Sequence, residues 1–240
     1  MSDEARARSF ETAAAAYERY RPEYPDVALR WVVDRLGLPP ASRVLDLGAG
    51  TGKLARGLFR LGLDVVAVEP GSAMLAELRR AVPGVEARQG VAESIPLEDH
   101  SVDAVAVGQA FHWFERARVL PELRRVLRSG GGLALLWNWE DVGDPIGARL
   151  AEVLGHEEGF HHDPLDPRYF EPVDEATIET SVSLTPDTLA GWTGTTSRLL
   201  TADPRKQEEL LERVRRSSRE YGERFELPCL TYVYAYRAVS

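Results

Sequence analysis

Residues 44–52 read Val-Leu-Asp-Leu-Gly-Ala-Gly-Thr-Gly, an apolar strand-like run that passes through alternate glycines into a helical pattern. Gly48, Gly50 and Gly52 let the backbone bend sharply and approach a ligand with no Cβ in the way. In an open α/β sheet, ligands sit at the carboxyl ends of the strands. A helix starting there offers free N–H groups to a carboxylate. The spacing separates two kinds of ligand. A dinucleotide turn reads G-x-G-x-x-G, and its third glycine lets the helix pack on the strand beneath a pyrophosphate. Here the pattern is G-x-G-x-G preceded by Asp46, which suits a ligand with an amino-acid head and no phosphate. Asp46 can hold the ammonium group while the turn receives the rest. Glu69 closes the next apolar run, Asp64-Val-Val-Ala-Val-Glu69-Pro70. An acid about 20 residues beyond such a turn accepts ribose hydroxyls and repels a 2′-phosphate.

A second constellation is Gln109-Ala110-Phe111-His112-Trp113-Phe114. His112 can act as a general base toward a hydroxyl. Gln109, His112 and Trp113 can instead grip a carboxylate by hydrogen bonds. The plainer alternatives are a His112 that caps the following helix or bonds a carbonyl, and a Trp113 and Phe114 that pack in the core. Trp137, Asn138 and Trp139 end the next strand on the same sheet edge; alternation leaves open which of them lines the acceptor pocket, and Trp137 is the candidate taken. Tyr17, Tyr20 and Arg21 precede Pro22. Arg21 either pairs with a carboxylate of the cofactor or substrate, or is solvated; Tyr24 is assigned to packing. His156, His161, His162 and Asp163 match no compact zinc spacing. They read as a polar lid, and no metal is expected.

These groups need a scaffold. Arg43–Leu47, Asp64–Val68, Val102–Val107 and Leu133–Trp137 are short apolar runs that alternate with helical patterns at Lys53–Leu61, Ala73–Ala81 and Arg116–Arg128. That alternation predicts a parallel sheet buried on both faces. Gly62 falls at a left-handed helix end, and Gly130–Gly132 is read as the separator between the Arg116 helix and the next strand. A helix to about Tyr20 and another at Asp26–Leu36 flank the proline turn RPEYP. Residues 140–169 read as a loop around one short helix. Beyond them lie a strand near Ile178–Leu184, helices at Asp187–Trp192 and after Asp203, and an alternating strand over Leu227–Ala238.

The formal net charge of −9 argues against a polyanionic partner, because nucleic-acid docking needs a concentrated basic field. The single cysteine, Cys229, forbids an internal disulfide and reads as a small buried hydrophobe. The start MSDEARARSF lacks a signal-peptide core, and no apolar run approaches the roughly 20 residues of a membrane helix. A cytoplasmic location is expected.

Taken in order and spacing, VLDLGAGTGKLA, VVAVEPGSAML, GVAESIPLEDHSVDAVAVGQAFHWF and ELRRVLRSGGGLALLWN resemble the class I S-adenosylmethionine-dependent methyltransferases of the methyltransferase type 11 group, from about Val44 to Asn138. AYERYRPEYP and the Gln109–Phe114 run resemble the branch with trans-aconitate and farnesoic-acid methyltransferase-like proteins. The resemblance implies that Asp46, Gly48, Ala49, Gly50 and Thr51 cradle the methionine part of S-adenosylmethionine. It implies further that Glu69 binds the ribose, Pro70 borders the adenine, and Ala92 and Glu93 face its edge. Val91 stands where the family often has an acid. Gln109 would face the reactive end, with Tyr17 and Arg21 in a segment lying over the cofactor, and Tyr20, Trp113 and Trp137 lining the acceptor pocket.

The fold implied is Rossmann-like: a seven-stranded sheet, mostly parallel with an antiparallel last strand, helices on both faces and a helical cap. It would form one domain over residues 1–240, with lid helices at 1–40, the cofactor core at 41–139, the cap at 140–225 and the last strand at 226–240. S-adenosylhomocysteine would be the product. The Asn-Pro-Pro-Tyr type of signature is absent, so a small-molecule oxygen acceptor is expected, with carbon or a small amine open. A non-catalytic cofactor-binding sensor or partner subunit is the reading from another class. Neither a nucleic acid nor a membrane is expected as partner.

Overall fold

The computed structural model describes residues 13–154 and 162–239. In chain order its elements are α1 (Ala14–Tyr20), α2 (Asp26–Leu36), β1 (Arg43–Leu47), α3 (Lys53–Arg60), β2 (Asp64–Glu69), α4 (Ser72–Ala81), β3 (Glu86–Gln89), β4 (Val102–Gly108), α5 (Arg116–Val126), β5 (Leu127–Glu140), α6 (Pro145–Leu154), β6 (Phe170–Leu184), α7 (Pro186–Gly194), α8 (Ser197–Leu200), α9 (Pro204–Ser218) and β7 (Phe225–Ala238). Among the described residues the strands make one seven-stranded sheet, ordered β3-β2-β1-β4-β5-β7-β6. It is parallel from β3 to β5 and antiparallel in its last strands, as expected.

The chain divides into two compact units. One comprises residues 23–137, 163–178 and 231–239; the other comprises 13–22, 138–154, 162 and 179–230.

In the first unit β1 is central. Leu45 lies opposite Val66 of β2 on one side and Val105 of β4 on the other. The sheet reverses its winding between β1 and β4, and such a switch point opens a crevice at the strands' carboxyl ends. Burial on both faces accounts for the apolar runs: Val44, Leu45, Leu47, Val65–Val68 and Val105 are all buried. Helix α2 begins where Pro25 fixes an extended residue, and ends at left-handed Gly37, whose N–H donates to the Asp34 carbonyl. Its Ala28, Leu29, Val32 and Leu36 form the buried stripe.

The reading of Gly130–Gly132 as a separator is corrected. Strand β5 starts directly after α5, at Leu127, and contains the glycines. Val102 pairs with Leu127 and Ala104 with Gly132, so Arg128–Gly131 bulge out opposite Asp103. Gly130, at φ +69°, supplies the left-handed residue that this loop-out needs. The Asp103 carboxylate fills the gap, accepting the Arg43 backbone N–H at 2.7 Å and pairing with Arg128. Gly132 then presses on α2.

In the second unit Leu150, Val153, Leu184, Leu189, Trp192, Leu199, Val214, Phe225, Leu227 and Cys229 form a core of their own. Helix α7 opens with a reciprocal cap: the Thr185 hydroxyl accepts the Thr188 N–H, and the Thr188 hydroxyl accepts the Thr185 N–H. Asp203 caps α9 by accepting the Arg205 N–H, with Pro204 in the first turn. Burial pushes the Cys229 thiol up to about 12, which suits an inert core residue. No helix among the described residues is long and apolar enough to cross a membrane.

A Cβ on Gly132 would lie 2.7 Å from Cδ2 of the buried Leu36. Gly132→Ala should therefore destabilise by about 1–3 kcal/mol, and Leu36→Ala by about 2–5 kcal/mol. In denaturant titrations the double variant should lose at least about 1 kcal/mol less than the two losses added. Strict additivity would show that the two do not meet.

Candidate active site

The glycine turn leaves β1 and enters α3 through three left-handed residues: Gly48 at φ +70°, Gly50 at +56° and Gly52 at +85°. The N–H groups of Gly48 and Ala49 both donate to the Val68 carbonyl, at 2.9 and 3.1 Å, which stitches the turn to the end of β2. The three glycines do different work. A Cβ on Gly48 would strike Ala110 Cβ at 2.8 Å and the Phe114 ring at 3.2 Å; one on Gly52 would strike Leu78 at 2.8 Å. Gly50 has nothing within 4 Å on that side, so its missing side chain faces open space. Two glycines are required by packing, and the middle one leaves room for a ligand.

Glu69, at the end of β2, is buried. One of its oxygens accepts the Gly50 N–H at 2.8 Å and the other accepts the Gly71 N–H at 2.8 Å. Asp46 is 1% exposed. Its Oδ2 accepts the Ala55 N–H at 2.8 Å and so caps the first turn of α3. Its Oδ1 has no hydrogen-bond partner among the described residues, and neither has Oγ1 of the buried Thr51. Buried polar atoms are nearly always satisfied, and such exceptions need an explanation. Burial pushes the Asp46 carboxyl up to about 7; the Ala55 N–H opposes that rise and the Glu69 charge adds to it.

Around this floor, Pro70 is exposed and its carbonyl accepts the Gln89 amide N–H at 3.0 Å. Ala92 is buried, Val91 is exposed, and Glu93 accepts the Glu115 backbone N–H at 3.0 Å. Gln109 follows β4 with φ +57°, rare for a residue with a Cβ, and its N–H donates to the Leu136 carbonyl at 2.9 Å. Such strain clusters at functional sites. A 3-10 turn over Phe111–Trp113 follows. In it the exposed His112 lies against the Trp113 ring, 4.5 Å between centroids, and its Nδ1 accepts the Trp137 indole N–H at 3.4 Å. Trp137 is itself buried.

Three features were missed from sequence: the place of Phe114, the Lys53–Glu23–Arg56 cluster and the bond from Trp137 to His112. Phe114, assigned to the core, stands over Gly48. Lys53, one of only two lysines, is buried with its ammonium 3.0 Å from Glu23 of the proline turn, and Arg56 binds the same carboxylate. The signal for that cluster was a lone lysine directly after the glycines. Nothing local signalled the bond from Trp137 to His112.

Tyr17, Tyr20 and Arg21 belong to the second unit. There Arg21 donates from Nε to the Thr195 hydroxyl at 2.9 Å and from Nη2 to the Thr195 carbonyl at 3.2 Å, with its guanidinium 5.3 Å from the Tyr17 ring centre. Tyr20 packs on Gly191. His156 and His161 lie outside the described residues. Asp163 sits 3.9 Å from Arg116, and among the described residues no group of three His, Cys, Asp or Glu is arranged to hold a metal.

Comparison with known proteins adds a family-scale match. A model described as a methyltransferase domain matches residues 45–135. An uncharacterised methyltransferase of Mycobacterium tuberculosis is 45% identical over 209 residues, spanning 86% of this chain and 84% of its own. A malonyl-acyl-carrier-protein O-methyltransferase of Methylococcus capsulatus is 40% identical over 163 residues, spanning 64% of this chain and 57% of its own. Among solved structures, one from Anaeromyxobacter dehalogenans, provisionally named a type II methyltransferase, is similar with a TM-score of 0.68 at 25% identity, covering 91% of this chain and 97% of that one.

The raised Asp46 carboxyl makes a signed prediction for the ligand-free protein. A group that holds its proton more tightly when folded stabilises fully below its unfolded value, near 3.8, and loses that contribution as pH rises through about 7. Asp46→Asn removes the group. The melting temperature of D46N relative to wild type should therefore climb between about pH 4 and pH 7 and level off above that. A difference independent of pH would refute the buried, proton-holding carboxyl.

Proposed function

Because this chain belongs to the class I S-adenosylmethionine-dependent methyltransferases, we propose that it methylates an oxygen of a small-molecule acceptor, above all a carboxylate, with S-adenosylmethionine held in the glycine turn. The observation that carries the cofactor assignment is the pair of buried, unsatisfied oxygens in and beneath that turn, Asp46 Oδ1 and Thr51 Oγ1. An ammonium group suits Asp46 Oδ1. The open side of Gly50 takes the methionine backbone, and Glu69 is assigned to the ribose hydroxyls. Pro70, Ala92 and Glu93 are assigned to the adenine. When bound, S-adenosylmethionine supplies a methyl group on a positively charged sulfur.

The residues of the chain then have three tasks. They must hold the acceptor oxygen about 3 Å from its target, keep water away, and avoid stabilising the separated charges so well that their neutralisation slows. Gln109 and His112 are assigned to gripping and aiming the acceptor, with Trp113 and Trp137 shaping its pocket. All the polar hands at that edge can act as neutral donors, which suits an oxygen that arrives ionised; a carboxylate needs no base. A relative named as an O-methyltransferase supports oxygen.

Calorimetric titration with S-adenosylmethionine, S-adenosylhomocysteine and NAD should give micromolar binding of the first two and silence from NAD. Gly50→Ala should fold at a cost of about 1 kcal/mol, since φ +56° strains alanine but nothing blocks its Cβ. It should nevertheless lose at least about tenfold in cofactor affinity, roughly 1.4 kcal/mol. A panel of small acids and phenols, read by S-adenosylhomocysteine formation, should show turnover among the acids. Turnover confined to amines or phenols would overturn the carboxylate reading, and preferential NAD binding would overturn the cofactor reading.

A further inference from the structure

Tryptophan's indole N–H is a donor only, whereas each neutral imidazole nitrogen is either donor or acceptor. The Trp137 N–H faces Nδ1 of His112 at 3.4 Å. That nitrogen must therefore present its lone pair, and in the neutral ring the proton belongs on Nε2. Both partners are held in place. Trp137 is 2% exposed and meets Tyr234 edge-on, 6.1 Å between centroids. The residue before it, Leu136, binds the Gln109 N–H through its carbonyl. His112 is set by the 3-10 turn, closed by the Trp113 N–H to the Ala110 carbonyl at 2.9 Å, and by its contact with the Trp113 ring. A second histidine of the same unit shows the opposite arrangement. Nδ1 of His100 lies 2.9 Å from the Leu127 carbonyl oxygen, which can only accept. His100 must carry its proton on Nδ1.

We propose that Trp137 is a positioning residue that fixes His112 as the tautomer protonated on Nε2, so that His112 meets the acceptor as a hydrogen-bond donor and not as a base. The proposal rests on the acid-acceptor reading for its purpose, but the tautomer itself does not depend on which acceptor is used. A donor fixed in this way contributes to holding an ionised oxygen. It gives no help to a phenol or alcohol that must first lose its proton.

Long-range proton–nitrogen spectra of the ¹⁵N-histidine-labelled protein report which ring nitrogen is protonated. The expected result is His112 protonated on Nε2 and His100 on Nδ1, the latter serving as the internal reference, with signals assigned through His112→Gln and His100→Gln. His112 found protonated on Nδ1, or averaging between both forms, overturns the proposal whatever the acceptor proves to be. Trp137→Phe should release the ring into a mixture of tautomers and raise KM for the acid by about twofold, because the donor form remains a substantial fraction. His112→Ala, which removes the donor, should raise KM about 10- to 100-fold with a smaller change in kcat, as expected for a lost hydrogen bond to a charged group. His112→Gln, whose amide can accept from Trp137 and donate to the acceptor together, should recover most of that loss. Failure of glutamine to rescue overturns the donor role. The wild-type spectrum decides the tautomer even where W137F does not fold. An Nε2-protonated His112 in a protein that methylates no acid sinks the acceptor reading alone.

Discussion

Two buried carboxylates, set among backbone N–H groups, tie together the carboxyl ends of β1 and β2 and the start of α3. Glu69 binds the N–H of Gly50 and the N–H of Gly71, so one side chain joins the turn after β1 to the turn after β2. Asp46 binds the N–H of Ala55 and so ties β1 to the first turn of α3. In these bonds the donors are peptide N–H groups, which are fixed by the fold. The cost is concentrated in Asp46, whose burial and proximity to Glu69 favour its protonated form. A cation brought to Oδ1 relieves that cost. Ligand affinity and local discomfort are thus two aspects of one arrangement.

The other half of the crevice is organised by the seam between β4 and β5. Their parallel register brings Gly108 opposite Leu136 and lets the Gln109 N–H reach the Leu136 carbonyl. That bond holds Gln109 in its left-handed conformation at the strand end. The chain turns immediately, which sets Ala110 and Phe114 against Gly48 and leaves His112 beside Trp137. The first glycine of the turn and the aromatic run of the β4 edge are therefore a matched pair. Each occupies space that a larger residue in the other would need.

Much of this was legible in the sequence, and the boundary of legibility has physical causes. Elements governed by local rules were readable: β1 and β2 from unbroken apolar runs, α2 from the proline turn before it, and α9 from Asp203 and Pro204. The glycine turn was readable because three alternate glycines directly after an apolar run mark left-handed backbone, and all three are left-handed. Gly130–Gly132 misled for the same reason. Glycine marks unusual backbone, and a strand bulge needs it as much as a loop does; only the register against β4 distinguishes the two. Contacts between distant segments left no trace in local pattern. The Glu23 clamp on Lys53, the Phe114 ring over Gly48 and the indole of Trp137 on His112 all depend on which strands lie side by side. The roles of Tyr17, Tyr20 and Arg21 were carried by resemblance alone, and within their own unit these residues are tied to α7 and the segment after it.

The strand order has a consequence for how this chain is made. β7 lies between β5 and β6, although it comes after both in sequence. While ribosomal synthesis proceeds from Asp141 through Arg224, β5 has been made but lacks the neighbour that will cover its outer edge. An uncovered, apolar strand edge is a template for pairing with the wrong chain. The last pairing also joins segments far apart in sequence, which is slow on topological grounds. The nascent protein thus carries its greatest exposure to misassembly late in synthesis. Conditions that delay β7, rather than those that weaken the cofactor turn, should govern how much of it reaches the native state.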